Sequence, residues 1–490
     1  MTFEQLKQVL FARGNFGMKL GLERIRAAME LLGNPHLAVP VLHVAGTNGK
    51  GSTCAFAEAA LRAAGLRTGL YTSPHLFHFC ERIRVAGEPV AEQYAADLLE
   101  EMVRRVPWAL RDDGLTFFEL ATAMAFLAFA RERVQVAVVE VGLGGRLDAT
   151  NVVEPLACAV APIGLDHVQW LGPTLSHVAA EKAGIFKRGA PVVSAGQPRP
   201  AAEALARRAA ELGIALWRPG RDYVYESRDV GPFCYAGPRG FRVSLDGREE
   251  VVSKSEDDAG SRHRAEVVGL RAPVGLPTSG ELALLGHHQR GNAALACALL
   301  QVAADRGVPV RPEHLRVGLR AARWAGRLEV VADKPLVLVD GAHNAHAARA
   351  LARAVPGIVG RSGVQLVFAA MYDKDHASML RELLPLAAGV HFCAVDSPRG
   401  TAPEQLVAVA GGLGAQMCAA AKNVAHKPRS GGDRAQICAA YPSVRDALEG
   451  ARAAAGVDGA VLCCGSLYLV AEVDAALRGR PVGRMPSERL

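Results

Sequence analysis

The chain has 490 residues, half of them hydrophobic and 21% charged, which excludes a wholly disordered chain and favours two domains with inserts over one core. Its net charge of +7 comes in no long basic run, so the expected partners are small anions and not nucleic acid. No stretch reaches membrane-spanning length without a charge or a breaker, and residues 1–13 lack an apolar signal core, so the expectation is a cytoplasmic protein that does not enter a membrane.

The ten cysteines form no C-x-x-C pair, and Cys463 and Cys464 are adjacent in an apolar run. They read as reduced thiols used as small hydrophobes.

In chain order, a helical pattern with Ile25, Met29 and Leu32 on one side closes at Gly33-Asn34-Pro35. A β-branched run at 41–44 then ends in Gly46-Thr47-Asn48-Gly49-Lys50-Gly51-Ser52, and an alanine-rich helix follows at 52–64. Glycines that admit close backbone approach, a helix N-terminus and one lysine make this a candidate phosphate cradle. It departs from the usual phosphate-loop spacing, with Val44 in the first glycine's place and Gly51 directly after the lysine. A tight strand-to-helix turn is the alternative reading of the loop taken alone.

The next strand, 68–72, makes a β-α-β crossover and so a parallel sheet, whose ligands sit at the C-terminal strand ends. Ser73-Pro74-His75-Leu76 falls at such an end. Helical patterns follow at 91–106 and 117–133. The apolar strand 134–141 carries Glu140 near its end, where a carboxylate is costly unless paired or bound to a cation. After the turn from Gly142 to Asn151, the strand 157–163 delivers Gly164-Leu165-Asp166-His167. Further elements at 191–194, 200–212 and 214–217 complete a doubly wound, mostly parallel core. Short alternating strands and a polar run between 221 and 283 indicate a small antiparallel addition with an insert at about 249–277.

The pattern restarts at Trp324-Ala325-Gly326-Arg327, which divides the chain into domains 1–323 and 324–490. The second is expected to be a smaller, Rossmann-like parallel α/β domain. Its strands are read at 336–339, 364–370, 390–395 and 460–464, with an insert at about 422–440. The strand 336–339 ends in Asp340-Gly341-Ala342-His343-Asn344.

A cradle with Ser73, Glu140 and His167 at neighbouring strand ends suggests a nucleotide with Mg²⁺, which takes oxygen ligands. Each residue also has a structural alternative. Glu140 could pair with Arg146 or Lys182, His167 could cap a helix, Ser73 could serve a turn before proline, and Lys182 could be a helix-end lysine favoured by the dipole.

Six stretches, in order, resemble the folylpolyglutamate synthase/dihydrofolate synthase family of the Mur ligase superfamily. They are Gly46 to Ser52, Thr72 to Leu76, Glu140 to Asp148, Asp166-His167, Glu181 to Ile185 and Asp340 to Asn344. The resemblance implies that Gly46, Thr47, Asn48, Gly49, Lys50, Gly51 and Ser52 hold the phosphates of ATP, and that Asn292, Arg327, Asp340 and His343 complete the nucleotide site. It implies Mg²⁺ ligation by Ser73 and Glu140, a second Mg²⁺ at His167, and a carbamylated lysine at Lys182. Lys50, His167 and Lys182 would then carry the catalytic roles. The implied substrates are ATP, L-glutamate and a folate or dihydropteroate, and the implied state is a monomer. Arg146 to Asn151 looks more like members with both activities.

The chemistry of such a ligase is an acyl phosphate made from ATP and a carboxylate, then attack by the glutamate amine. The rivals are a Mur-type ligase acting on a peptidoglycan precursor and a non-catalytic nucleotide switch. Gly51 and the Ser73-Pro74-His75 loop favour the folate branch. The lack of a guanine-selective Asn-Lys-x-Asp speaks against the switch.

Overall fold

The computed structural model describes residues 1–14, 19–226, 232–245, 282–360, 363–414 and 437–479. The insert expected at 249–277 lies outside these residues, as does 422–436 of the second one.

Among the described residues the N-terminal part forms an eight-stranded sheet. Its strands are β1 (Val41–Ala45), β2 (Thr68–Tyr71), β3 (Ile83–Val85), β4 (Glu88–Pro89), β5 (Val136–Glu140), β6 (Pro155–Val160), β7 (Val192–Ser194) and β8 (Leu216–Trp217). The spatial order is β4-β3-β2-β5-β1-β6-β7-β8. Strands β2 to β8 along this order pair in parallel, whereas β3 and β4 add an antiparallel edge. The first crossover therefore does not join neighbours, because β5 lies between β1 and β2. The edge hairpin is invisible to hydrophobic periodicity. It is made instead by a two-residue turn, Ala86 and Gly87, both at positive φ (52° and 89°), the geometry that matches strand twist.

The central strands read as continuous apolar runs because both faces are covered. Leu42, Val44, Val136 and Val138 enter the core on the side of the cradle helix, Lys50–Ala63. Val41, Ala137 and Val139 enter the opposite core, with the helix Phe117–Arg131. That helix is buried around most of its surface and starts in a capping box of Thr116 and Glu119. The expected antiparallel addition is present as β9 (Val224–Tyr225), β10 (Cys234–Ala236) and β11 (Arg242–Ser244).

The second domain has six described strands: β12 (Glu329–Asp333), β13 (Leu336–Asp340), β14 (Val364–Phe368), β15 (Ala387–Cys393), β16 (Ile437–Tyr441) and β17 (Ala460–Cys464), in the order β12-β13-β17-β14-β15-β16. Two expectations need correction. The sheet is not wholly parallel, because only Lys334 and Pro335 separate β12 from β13 and so short a link returns antiparallel. Residues 437–440 are not insert; with Tyr441 they pair in parallel with β15. On β17, Cys463 and Cys464 face opposite cores, both buried and unbridged. No helix among the described residues is long and apolar enough to cross a membrane.

Two close approaches seat the cradle helix. The helix Pro312–Ala321 crosses it at Gly318, where an added Cβ would collide with the backbone of Ala60. The interdomain segment lays Trp324 on its first turn, where a Cβ on Gly51 would be 2.6 Å from the indole nitrogen. The Arg84 guanidinium stacks 5.7 Å from the Trp324 ring. The glycine that breaks the usual phosphate-loop pattern is thus the space that the interdomain segment fills.

Gly318→Ala should destabilise the protein by about 1–3 kcal/mol, read as a lower urea midpoint at unchanged m-value. An unchanged midpoint would mean that the helices separate without cost. Gly51→Ser should destabilise wild type but not a Trp324→Ala background, with a coupling of about 1 kcal/mol in a double-mutant cycle. Additive effects would show that the indole does not press on that turn.

Candidate functional site

The C-terminal ends of both sheets face one cleft of about 270 Å³. Every residue expected to hold phosphate, nucleotide or metal or to carry catalysis lines it, whereas Arg146, Asp148, Glu181 and Asn344 of the quoted motifs do not. Its floor is the cradle. Gly46 has φ +149° with Ala161 behind it, and Gly49 has φ +86° with the Asn292 amide behind it, so a side chain at either position would collide. The Thr47 and Asn48 N–H groups donate to Pro162 O at 3.0 and 3.2 Å, and the Thr47 hydroxyl donates to Gly164 O at 3.0 Å. Lys50 opens the helix, and its ammonium donates to Thr47 O at 3.4 Å. The first-turn N–H groups of such a helix have no intrahelical acceptor and present positive partial charge.

One wall holds Glu140, the last residue of β5 and only 4% exposed. Its Oε2 accepts from Ser73 N at 3.1 Å. Burial pushes its carboxyl pKa up, against the opposing pull of Lys50, the Ser73 N–H, Arg327 and Arg82. The alternative partner Arg146 is taken by Glu181 at 3.0 Å. Lys182 ends the helix Leu175–Lys182 and is 4% exposed. Burial first, and the Lys50 charge second, pull its ammonium down to about 7, so this is not the solvated helix-end lysine that the dipole would favour. Asp148 holds the glycine-rich turn, accepting from Leu143 N at 2.8 Å and Thr150 N at 3.0 Å.

His167 stands at φ +50° before a short helix without capping it, and its buried Nδ1 has no hydrogen-bond partner. Burial brings it down to about 4, so the ring is neutral and one nitrogen has a free lone pair. A buried polar atom left unpaired in a cleft marks a position for a ligand or ion. The neighbouring Asp166 carboxylate accepts from Lys374 Nζ at 2.9 Å and Asn344 Nδ2 at 3.0 Å. Burial opposes its ionisation, but His343, His167 and Lys374 hold it well below the usual carboxylate range.

The opposite wall belongs to the second domain. Asp340 ends β13, and its oxygens accept from Leu328 N at 2.8 Å and Ala342 N at 2.7 Å. The Arg327 guanidinium lies against Gly341, where a Cβ would be 2.7 Å from Nη1. His343 donates through Nδ1 to Gly341 O at 2.8 Å, which leaves Nε2 facing Asp166 at 3.6 Å. Asn292, 4% exposed, donates to Gln289 Oε1 at 2.9 Å.

Among the described residues no three His, Cys, Asp or Glu side chains form a ready metal cage. The donor set instead suits Mg²⁺ held jointly by protein oxygens and a bound phosphate. Sequence reasoning missed Arg82, Lys374, Arg399 and Ser466 in the cleft lining. Arg82 carried no signal, since an arginine that closes a short turn, Phe79–Arg82, just before an edge strand reads as solvated. It is 1% exposed, donates to His75 Nδ1 at 2.7 Å and lies 5.0 Å over the Phe117 ring.

Residues 326–467 match the Mur ligase, glutamate ligase domain family. The chain is 35% identical over 410 residues to the dihydrofolate synthase/folylpolyglutamate synthase of Bacillus subtilis, covering 83% of this chain and 88% of that protein. It is 36% identical to a probable bifunctional folylpolyglutamate synthase/dihydropteroate synthase of Haloferax volcanii over 96% of its own length, and spans half the length of that protein. Among solved structures it resembles Escherichia coli FolC in complex with DHPP and ADP, with a TM-score of 0.77, 30% identity and 98% coverage of both chains. With this match and the cleft between two α/β domains, the chain belongs to the folylpolyglutamate synthase/dihydrofolate synthase family of the Mur ligase superfamily.

Proposed function

We propose that the protein is an ATP-dependent amide ligase that adds L-glutamate to folates and also to dihydropteroate, through an acyl phosphate, with release of ADP and phosphate. The observation that carries this reading is the facing of the two walls. The cradle with Lys50 and Glu140 lies on one domain, and Arg327, Asp340 and His343 lie on the other, around one cleft. A nucleotide switch needs no such second wall.

In this reading the loop from Gly46 to Ser52 holds the ATP phosphates through the first-turn N–H groups of the Lys50–Ala63 helix, while the Thr47 and Asn48 N–H groups stay bonded to Pro162 O and fix the loop's shape. Lys50 neutralises charge as the terminal phosphoryl group moves to the substrate carboxylate. Asn292, Arg327, Asp340 and His343 hold the rest of the nucleotide. Ser73 and Glu140 fit a Mg²⁺ ligand pair, and the orphan nitrogen of His167 fits a second ion; bound metal would supply further charge neutralisation. The glutamate amine then forms the new C–N bond, and phosphate leaves with one former carboxylate oxygen.

Lys182 fits a carbamate. Its buried ammonium, pulled down to about 7, would lose one proton to give the neutral amine. The amine would form an N–C bond to CO₂ and release a second proton, leaving an anion in place of a desolvated cation beside the cationic cradle. We read the protein as a cytoplasmic monomer, which the supply of both cleft walls by one chain supports.

Purified protein should release phosphate from ATP only when L-glutamate and a pteroate or folate acceptor are both present. Release without an acceptor, or with a UDP-muramoyl acceptor, would contradict the assignment. Lys50→Ala should lower turnover by about a hundredfold or more at an unchanged melting temperature, and retained turnover would mean that the cradle binds no phosphate. With ¹³C-bicarbonate, a carbamate resonance should appear in wild type and be missing from Lys182→Arg. Its absence from both would remove the modified lysine.

A further inference from the structure

The cleft contains an arrangement that the ligase chemistry leaves unused. Asn344 caps the helix Ala345–Val359, its Oδ1 accepting from Ala347 N at 2.9 Å. The same oxygen accepts from Asn48 Nδ2 at 3.1 Å. Its Nδ2 donates to Asn48 Oδ1 at 3.1 Å and to Asp166 Oδ2 at 3.0 Å. Two acceptor sites and two N–H groups are therefore all engaged, and only an amide supplies that set at one position. Asn48 belongs to the cradle loop after β1, and Asp166 to the loop after β6. One side chain of the second domain thus holds two separate loops of the first.

Two neighbours strengthen the contact. His346 Nδ1 bonds Asn48 Nδ2 at 2.8 Å. Its ring packs on Gly164, where a Cβ would lie 3.1 Å from His346 Cβ. Lys374 pairs with Asp166 Oδ1 at 2.9 Å, with both side chains largely buried.

We propose that Asn344 is a positioning residue that clasps the two domains, so that closure of the cleft and placement of the cradle loop at Asn48 occur as one event. Opening the cleft breaks three of the amide's four hydrogen bonds and leaves the helix cap intact. The activity arm of the test rests on the ligase reading above; the shape arm does not.

Asn344→Asp separates the roles. It keeps an oxygen that caps the helix as well as asparagine does, and it replaces both N–H donors with a carboxylate facing Asp166. The variant should keep its melting temperature within about 2 °C, show a larger radius of gyration by small-angle scattering, and lose about tenfold to a hundredfold in kcat with little change in KM for ATP. Asn344→Asp combined with Asp166→Asn restores the hydrogen bond between positions 344 and 166, though not the one to Asn48 Oδ1, and should bring the radius of gyration part of the way back toward wild type. A single variant as compact as wild type, an expanded variant with wild-type kcat, or expansion that accompanies a lowered melting temperature would each overturn the clasp. A wild type without ligase activity would instead overturn the functional reading, and the scattering result would stand by itself.

Discussion

Charge kept away from water in the cleft is the constraint on which this structure depends. Glu140 and Lys182 are each 4% exposed and Asp340 is 7% exposed, and an ionised group in such a place costs several kcal/mol unless partners surround it. Neither domain supplies all of those partners. Lys374 and Asn344 of the second domain neutralise and hydrogen-bond Asp166 of the first, and Arg327 contributes to the field at Glu140. The site is therefore complete only when the C-terminal edges of the two sheets face each other.

That requirement explains where small residues stand. Gly49 leaves room for Asn292, Gly51 for Trp324, Gly164 for His346 and Gly318 for Ala60. At Gly49, Gly51 and Gly318 another element approaches the cradle or its helix more closely than a side chain permits, and at Gly164, in the loop beneath the cradle, the contact is merely tight. The cradle is held from below by Pro162 and Gly164 and from above by Asn344 and His346, so its backbone is fixed by contacts within the protein itself.

Local chemistry made much of this legible in the sequence. A lysine among glycines after a β-branched run marked the cradle, and a carboxylate at the end of an apolar strand marked Glu140. Continuous apolar runs also announced the parallel strands β1, β5 and β17. What stayed hidden was long-range or short. The Asp166–Lys374 pair spans 208 residues, and no spacing rule links such partners. The β3–β4 hairpin depends on two backbone angles at Ala86 and Gly87, and β16 is a five-residue, alanine-containing run whose strand character comes only from pairing with β15. Strand order was illegible for the same reason: β5 enters between β1 and β2 because of tertiary pairing, not local propensity.

The most direct test of the central claim follows oxygen from substrate to product. A folate or dihydropteroate acceptor carrying ¹⁸O in both oxygens of the reacting carboxylate is turned over with ATP and L-glutamate, and the released phosphate is analysed by mass. Activation of the carboxylate in this cleft predicts one ¹⁸O in each phosphate formed. Phosphate without label would contradict it, because ATP would then have been hydrolysed by water rather than used to form the acyl phosphate.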